Sequence, residues 1–253
     1  MMLRNYNIKI KGKLFDTMLA HYILQPELQH SMDYLAETYL NYQTIHIEEL
    51  IGPKGKNQLN MGDLKPEQIL NYAAEDADIT LRLYNVLKEK IKENDLEELL
   101  YKIETPLIYV LADMEMTGVC IDNQALKDSS LKLREKLSQI EQEIYELAGE
   151  KFNISSPKQL GVILFEKLNL PFAKKTKTGY KTDVSILNKL ESAHPIISKI
   201  LEYRGLTKIK STYLEGLANY IREDGKIHTI YKQNLTRTGR LSSVEPNLQN
   251  IPA

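Results

Sequence analysis

Hydrophobic residues recur mostly at three- and four-residue spacing, and the breaks in that pattern divide the chain into a run of helices with a few short extended segments. Ile8 and Ile10 alternate like a short strand. FDTMLAHYIL then forms an amphipathic helix, and Ser31 caps a second over MDYLAETYL. The glycine- and proline-containing stretch IGPKGKNQLNMGD is a loop, after which Pro66 fits the first turn of a long helix ending near Ile91. The polar, acidic KENDLEELL (92–100) marks a domain boundary. A helix from about Glu104 to Met116 stops at Gly118, read as a left-handed cap, and Asp122 caps a longer one ended by Gly149. In that longer helix Leu126, Leu133, Leu137, Ile140, Ile144 and Leu147 make a narrow seam suited to one partner helix. Beyond a basic loop (173–183) come helical patterns at 184–203 and 207–222, a hairpin-type turn at EDGK and strand-like alternation in IHTIYKQNLT. TRTGRLSSVEPNLQNIPA (236–253) reads as a turned strand–loop.

Charge separates the two halves. Residues 1–150 carry 16 Lys and Arg against 26 Asp and Glu, whereas residues 151–240 carry 17 against 7. The second half therefore suits a polyanionic partner, or simply presents a solvated basic surface. No apolar run approaches the roughly 20 residues that span a membrane, and the start MMLRNYNIKIKGK lacks a signal-peptide core. A single cysteine, Cys120, fits a reducing cytoplasm, and the five scattered histidines give no zinc pattern.

Four groups of residues bear on chemistry. In NYAAEDADIT, Tyr72 and Asp76 lie four apart on one helical face. Such a pair can orient a metal-bound water for phosphodiester hydrolysis, but it is also common surface chemistry, and one carboxylate cannot hold two metals. In FNISSPKQL, Ser155 or Ser156 before Pro157 opens a helix, either as a plain cap or as a phosphate cradle, with Lys174 and Lys175 in the loop that follows. In LEYRGLTKIKSTYLEGL, Arg204, Lys208, Ser211 and Thr212 share a basic face with Lys210 close by. The last segment offers Arg237, Arg240, Ser242, Ser243, Asn247, Gln249 and Asn250 as polar groups able to meet nucleic acid.

TRTGRLSSVEPNLQNIP resembles, almost letter for letter, a segment of the family-A DNA polymerases, the bacterial DNA polymerase I type. FDTML, KGKNQL and YAAEDAD resemble the C-terminal half of the 3′–5′ exonuclease domain of the same enzymes. ETPLIYVLADMEMTGVCID resembles their connecting helix, and the SSPKQL and EYRGLTKIKSTY stretches resemble their thumb. The resemblance covers nearly the whole chain in the family's order. It implies a mainly α fold with some β (an α+β multidomain fragment): residues 1–95 from a ribonuclease-H-like exonuclease domain and residues 96–253 from the polymerase domain. The latter divides into a connecting helix at 100–118, a thumb at about 119–225 and the start of the palm at 226–253.

The resemblance also implies residue roles. Tyr72 and Asp76 match the third exonuclease motif, with Asp76 a metal ligand only alongside acids that would precede Met1. Ser155, Ser156, Lys174 and Lys175, and then Arg204, Lys208, Lys210, Ser211 and Thr212, match thumb positions beside duplex DNA. Arg240 matches the arginine that reaches the minor groove at the primer end, where acceptors lie in similar places in all four base pairs. Asn247, Gln249 and Asn250 match polar residues near template and primer. The implied parent is a monomeric, cytoplasmic Mg2+-dependent DNA-directed DNA polymerase acting on primer–template DNA and deoxynucleoside triphosphates. The family's palm aspartates would follow Ala253, so the 253 residues alone are expected to bind DNA without catalysis. The alternatives are a duplex-DNA-binding module proper and a stand-alone 3′–5′ exonuclease.

Overall fold

The computed structural model describes residues 6–8, 10–171, 175–176 and 179–252, with only the backbone given at 175–176. Helices start where the polar caps place them. The Asp16 carboxylate accepts the N–H groups of Met18 and Leu19 at 2.9 and 3.0 Å to open α1 (Thr17–Leu24). Ser31 caps α2 (Met32–Leu35), which widens into a π-helical turn over Ala36–Leu40. The short α3 (Ile47–Ile51) precedes α4 (Pro66–Glu93), whose first position is Pro66, where no N–H is needed. A second π-helical turn, Leu99–Glu104, leads into α5 (Thr105–Thr117). Gly118 ends α5 with φ 67° and ψ 175°, an extended positive-φ geometry rather than the left-handed helical cap expected from sequence.

The chain continues through β1 (Val119–Cys120) into α6 (Asn123–Ala148), capped by Asp122 and closed by Gly149 at φ 73° and ψ 10°. Next come α7 (Pro157–Val162) with a π-helical turn at Ile163–Lys167, then β2 (Lys175–Thr176) and β3 (Gly179–Tyr180). They are followed by α8 (Val184–Leu190) and α9 (Ile196–Lys208). A π-helical segment, Ile209–Glu215, runs on into α10 (Gly216–Ala218). The last elements are β4 (Lys226–Ile227), β5 (Ile230–Lys232) and β6 (Ser242–Val244). The fold is thus α-rich with short antiparallel ladders. Two further details depart from expectation: Ile8 and Ile10 are exposed and in no described strand, and the break near 204–206 lies instead at 191–195, ahead of Pro195.

Two compact units result, one of Met1–Gly118 with Thr229–Gln249, the other of Val119–His228 with Asn250–Ala253. In the first, Ile79, Leu83, Leu87 and Ile91 form a four-spaced stripe on α4 that packs with Ala20, Leu35, Ala36 and Leu100. Burying each such leucine or isoleucine contributes about 1.5–3 kcal/mol. In this unit β5 pairs with β6, Tyr231 opposite Ser243. In the second unit α6 packs on α9, and only the C-terminal part of its seam, Ile140 and Ile144 with Ala148, is deeply buried; Leu126, Leu133 and Leu137 remain half-exposed. Ile163, Leu164, Leu187 and Ile197 complete this core, while β1 pairs with β4 and β2 with β3.

Candidate nucleic-acid interface

In the second unit, residues read from two separate motifs meet at one open groove of about 620 Å³. Ser155 and Pro157 line it from the start of α7, and Arg204, Lys208 and Ser211 from α9 and the π-helical segment beyond it. Arg204, Lys208 and Ser211 fall four and three apart on that long helix, so one face is presented. Lys208 is exposed. Arg204 is half-buried, its guanidinium donating to the Thr182 carbonyl and, at 3.2 Å, to the Thr182 hydroxyl. Burial pulls the Arg204 pKa down and the Asp183 charge opposes this. Arg204 therefore stitches α9 to the segment after β3 while lending positive charge to the groove wall.

The other predicted positions are placed differently. The Ser156 hydroxyl accepts the Gln159 N–H at 3.4 Å as an N-cap, whereas neighbouring Ser155 faces the groove. Thr212 is exposed and outside the lining. The Lys210 ammonium lies 2.6 Å from Glu215, across the π-helical segment, and this ion pair draws the Glu215 pKa down. Lys174 lies outside the described residues, as does the side chain of Lys175. Lys181, Thr182, Tyr180 and Tyr203 also line the groove. Of these only Lys181 carried a sequence signal, its basic loop; the others reach the groove through the β2–β3 hairpin and helix packing.

The first unit holds two further groups. On α4, burial raises the Asp76 carboxyl pKa, the Glu75 and Asp33 charges add to this, and the Tyr72 phenol opposes it. The Tyr72 pKa is raised in turn by burial and then by Asp76. Asp76 Oδ1 is buried without a hydrogen-bond donor. Asp33, absent from the sequence reading, neighbours this pair and accepts the Thr44 hydroxyl at 2.7 Å. Glu75 points away, accepting the Tyr42 hydroxyl at 2.7 Å and the Ile45 N–H at 2.8 Å. Among the described residues no three His, Cys, Asp or Glu side chains form a group that could hold a metal. Asp76 has the chemistry of one ligand, and the residues present do not complete a site.

The second group is the loop joining and following β5 and β6. Arg240 is exposed, in a turn where Gly239 has φ 74° and the Thr236 hydroxyl donates to the Arg240 carbonyl at 2.6 Å. Ser243, read as a surface polar group, is instead fully buried, with its Oγ 2.7 Å from Thr229 Oγ1 and accepting the Leu248 N–H at 3.1 Å. The Gln249 amide is committed to its own loop: its oxygen accepts the Ser243 N–H at 3.1 Å and its nitrogen donates to the Leu241 carbonyl at 2.9 Å. Asn247 accepts the Gln249 N–H at 2.9 Å. In the other unit the Asn250 carbonyl accepts the Tyr213 hydroxyl at 2.5 Å. Arg237 ion-pairs with Glu27 at 3.3 Å.

Comparison with known proteins bears on both units. Residues 123–253 match the model of DNA polymerase family A, and residues 1–92 match a 3′–5′ exonuclease model. DNA polymerase I of Lactococcus lactis subsp. cremoris is 45% identical over 251 residues, covering 99% of this chain and 28% of that protein. DNA polymerase I of Bacillus subtilis is 45% identical over 255 residues, with 99% and 28% covered. The solved POL domain of Pol1 from M. smegmatis, in complex with DNA primer-template and dNTP, is similar with a TM-score of 0.79 and 32% identity over 99% of this chain and 41% of that one. The chain thus spans 28% of the length of these curated relatives. An exonuclease-type first part and a polymerase-type second part, each matched in order, show that this chain belongs to DNA polymerase family A.

Proposed function

We propose that these 253 residues are the DNA-gripping part of a DNA-directed DNA polymerase of the polymerase I type, acting in replication and repair. The observation that carries the proposal is the convergence of Ser155, Arg204, Lys208 and Ser211 on one groove within the part matched to the polymerase family. Hydroxyls and an exposed ammonium lining one groove suit phosphate oxygens and sequence-independent, salt-sensitive binding. Arg240 is read as the minor-groove contact at the primer end, and Lys174, Lys175, Lys210, Thr212, Ser156, Asn247, Gln249 and Asn250 as further DNA contacts, each in its own right. The partner is primer–template DNA, with which the M. smegmatis relative is in complex.

Nucleotidyl transfer belongs to the whole polymerase, with Mg2+ as the divalent ion and deoxynucleoside triphosphates as substrates. Tyr72 and Asp76 are an incomplete exonuclease site. We read the protein as monomeric and cytoplasmic; no described helix is long and apolar enough to cross a membrane. The domain division we propose runs from exonuclease-type (1–95) to polymerase-type (96–253).

Fluorescence anisotropy with labelled primer–template tests this reading. Arg240→Ala should weaken binding by about 1.5–3 kcal/mol, the range for a hydrogen bond made by a charged group. Lys208→Ala should weaken it equally on unrelated sequences. Undiminished binding in both variants would overturn the reading.

A further inference from the structure

The exposed Arg240 turn is held by the exonuclease-type part of the same unit. Tyr22, on α1, is 4% exposed, and its hydroxyl donates to the Thr236 carbonyl at 2.8 Å. The Thr236 hydroxyl donates to the Arg240 carbonyl at 2.6 Å. One residue along, the Arg237–Glu27 ion pair at 3.3 Å ties the turn again to the segment that follows α1.

The Tyr22 ring has little freedom. It meets His30 edge-on at 5.6 Å, and His30 Nδ1 lies 2.8 Å from the Nδ1 of buried His21. A phenylalanine would fill the same apolar volume. The tyrosine hydroxyl is the atom that leaves this packed cluster and meets the turn. A buried phenol turns on only two side-chain torsions, so it delivers a hydroxyl at a fixed point with little entropy left to lose.

We propose that Tyr22 is a positioning residue for Arg240: the hydrogen-bonded series Tyr22–Thr236–Arg240 fixes the turn from which the guanidinium meets duplex DNA. An exonuclease-type helix then shapes the polymerase-type grip without taking part in any chemistry. The inference rests on the reading of Arg240 as a DNA contact.

The test uses Tyr22→Phe, with Thr236→Val and Thr236→Ser on the turn itself, where a partly exposed hydroxyl outside the buried core can be removed or kept. Amide hydrogen exchange over residues 236–240 is measured in the free chain, and primer–template affinity by anisotropy. Tyr22→Phe and Thr236→Val should both speed exchange in the turn and weaken DNA binding about 2- to 10-fold, the loss expected for one hydrogen bond. Thr236→Ser should restore both. In an Arg240→Ala background, Tyr22→Phe should cause no further loss of affinity.

Unchanged exchange in Tyr22→Phe and Thr236→Val overturns the positioning role, whatever the affinities. Additive losses with Arg240→Ala overturn it as well, because the hydroxyl would then act elsewhere. Faster exchange with undiminished binding by Arg240→Ala instead overturns the assignment of Arg240 as a DNA contact, and the role of Tyr22 in binding falls with it.

Discussion

Gly161→Ala should destabilise the second unit although alanine is the better helix former. Gly161 is buried in α7, where intrinsic propensity favours alanine by about 1 kcal/mol. An added Cβ would stand 2.7 Å from the Tyr180 Cβ, 3.2 Å from its Cδ2 and 3.4 Å from its Cγ. Carbon atoms pack best at roughly 3.5–4.0 Å, so the closest contact must open by about 1 Å. The obstructing atom is attached to the β3 backbone and cannot swing aside like the end of a long side chain. Overpacking of this kind costs about 1–3 kcal/mol, and with the closest contact this short we place it at the upper end, leaving about 1–2 kcal/mol net after the helix gain. The thermal midpoint should fall by about 3–10 °C. Circular dichroism melting measures it, with Gly205→Ala as the control. Gly205 is helical with nothing within 4 Å of an added Cβ, so that substitution should raise stability by about 1 kcal/mol. Because Tyr180 lines the groove, Gly161→Ala should also lower duplex affinity. A midpoint raised by Gly161→Ala as by Gly205→Ala would refute the packing argument.

Gly216→Ala brings a Cβ to 2.8 Å from the Ser211 backbone carbonyl. It should cost about 1–3 kcal/mol in urea unfolding by prying open the π-helical segment. Ser243→Ala strands the Leu248 N–H and should cost about 1–3 kcal/mol in the same assay. The His21–His30 pair gives a pH dependence. Burial lowers the His21 pKa, with the His30 charge adding, and burial lowers that of His30 from the ordinary 6.5. The unfolded chain therefore binds more protons just below 6.5, and stability is full above that value and lost as pH falls through the window beneath it. Melting followed from pH 7.5 to 5 should show this fall, and His21→Phe/His30→Phe should flatten it.

Much of the helix map was legible because its signals are local. Ser31, Asp122 and Ser156 each accept a backbone N–H in the first turn of their helix, and Pro66 and Gly149 sit where their backbone preferences put them. The π-helical turns were not legible, since an i→i+5 ladder leaves nearly the same apolar spacing as an α-helix. The wider seam of α6 was over-read because periodicity gives a face, and how far a partner covers it depends on where α9 lies. At the interface, residue types marked Arg204 and Lys208 as cationic but not that Thr182 would claim the Arg204 guanidinium. Ser243 looked like surface in a polar string, and only pairing of β5 with β6 brings Thr229 over it. Asp33 joins Tyr72 and Asp76 by a fold contact between segments about 40 residues apart, which no spacing rule reaches.

The salt dependence of primer–template binding tests the central claim most directly. Log affinity against log salt concentration should fall linearly, and Lys208→Ala should make the slope shallower by about 0.9, the share of one neutralised phosphate. A salt-independent affinity, or a slope identical in Lys208→Ala, would contradict a phosphate-gripping groove.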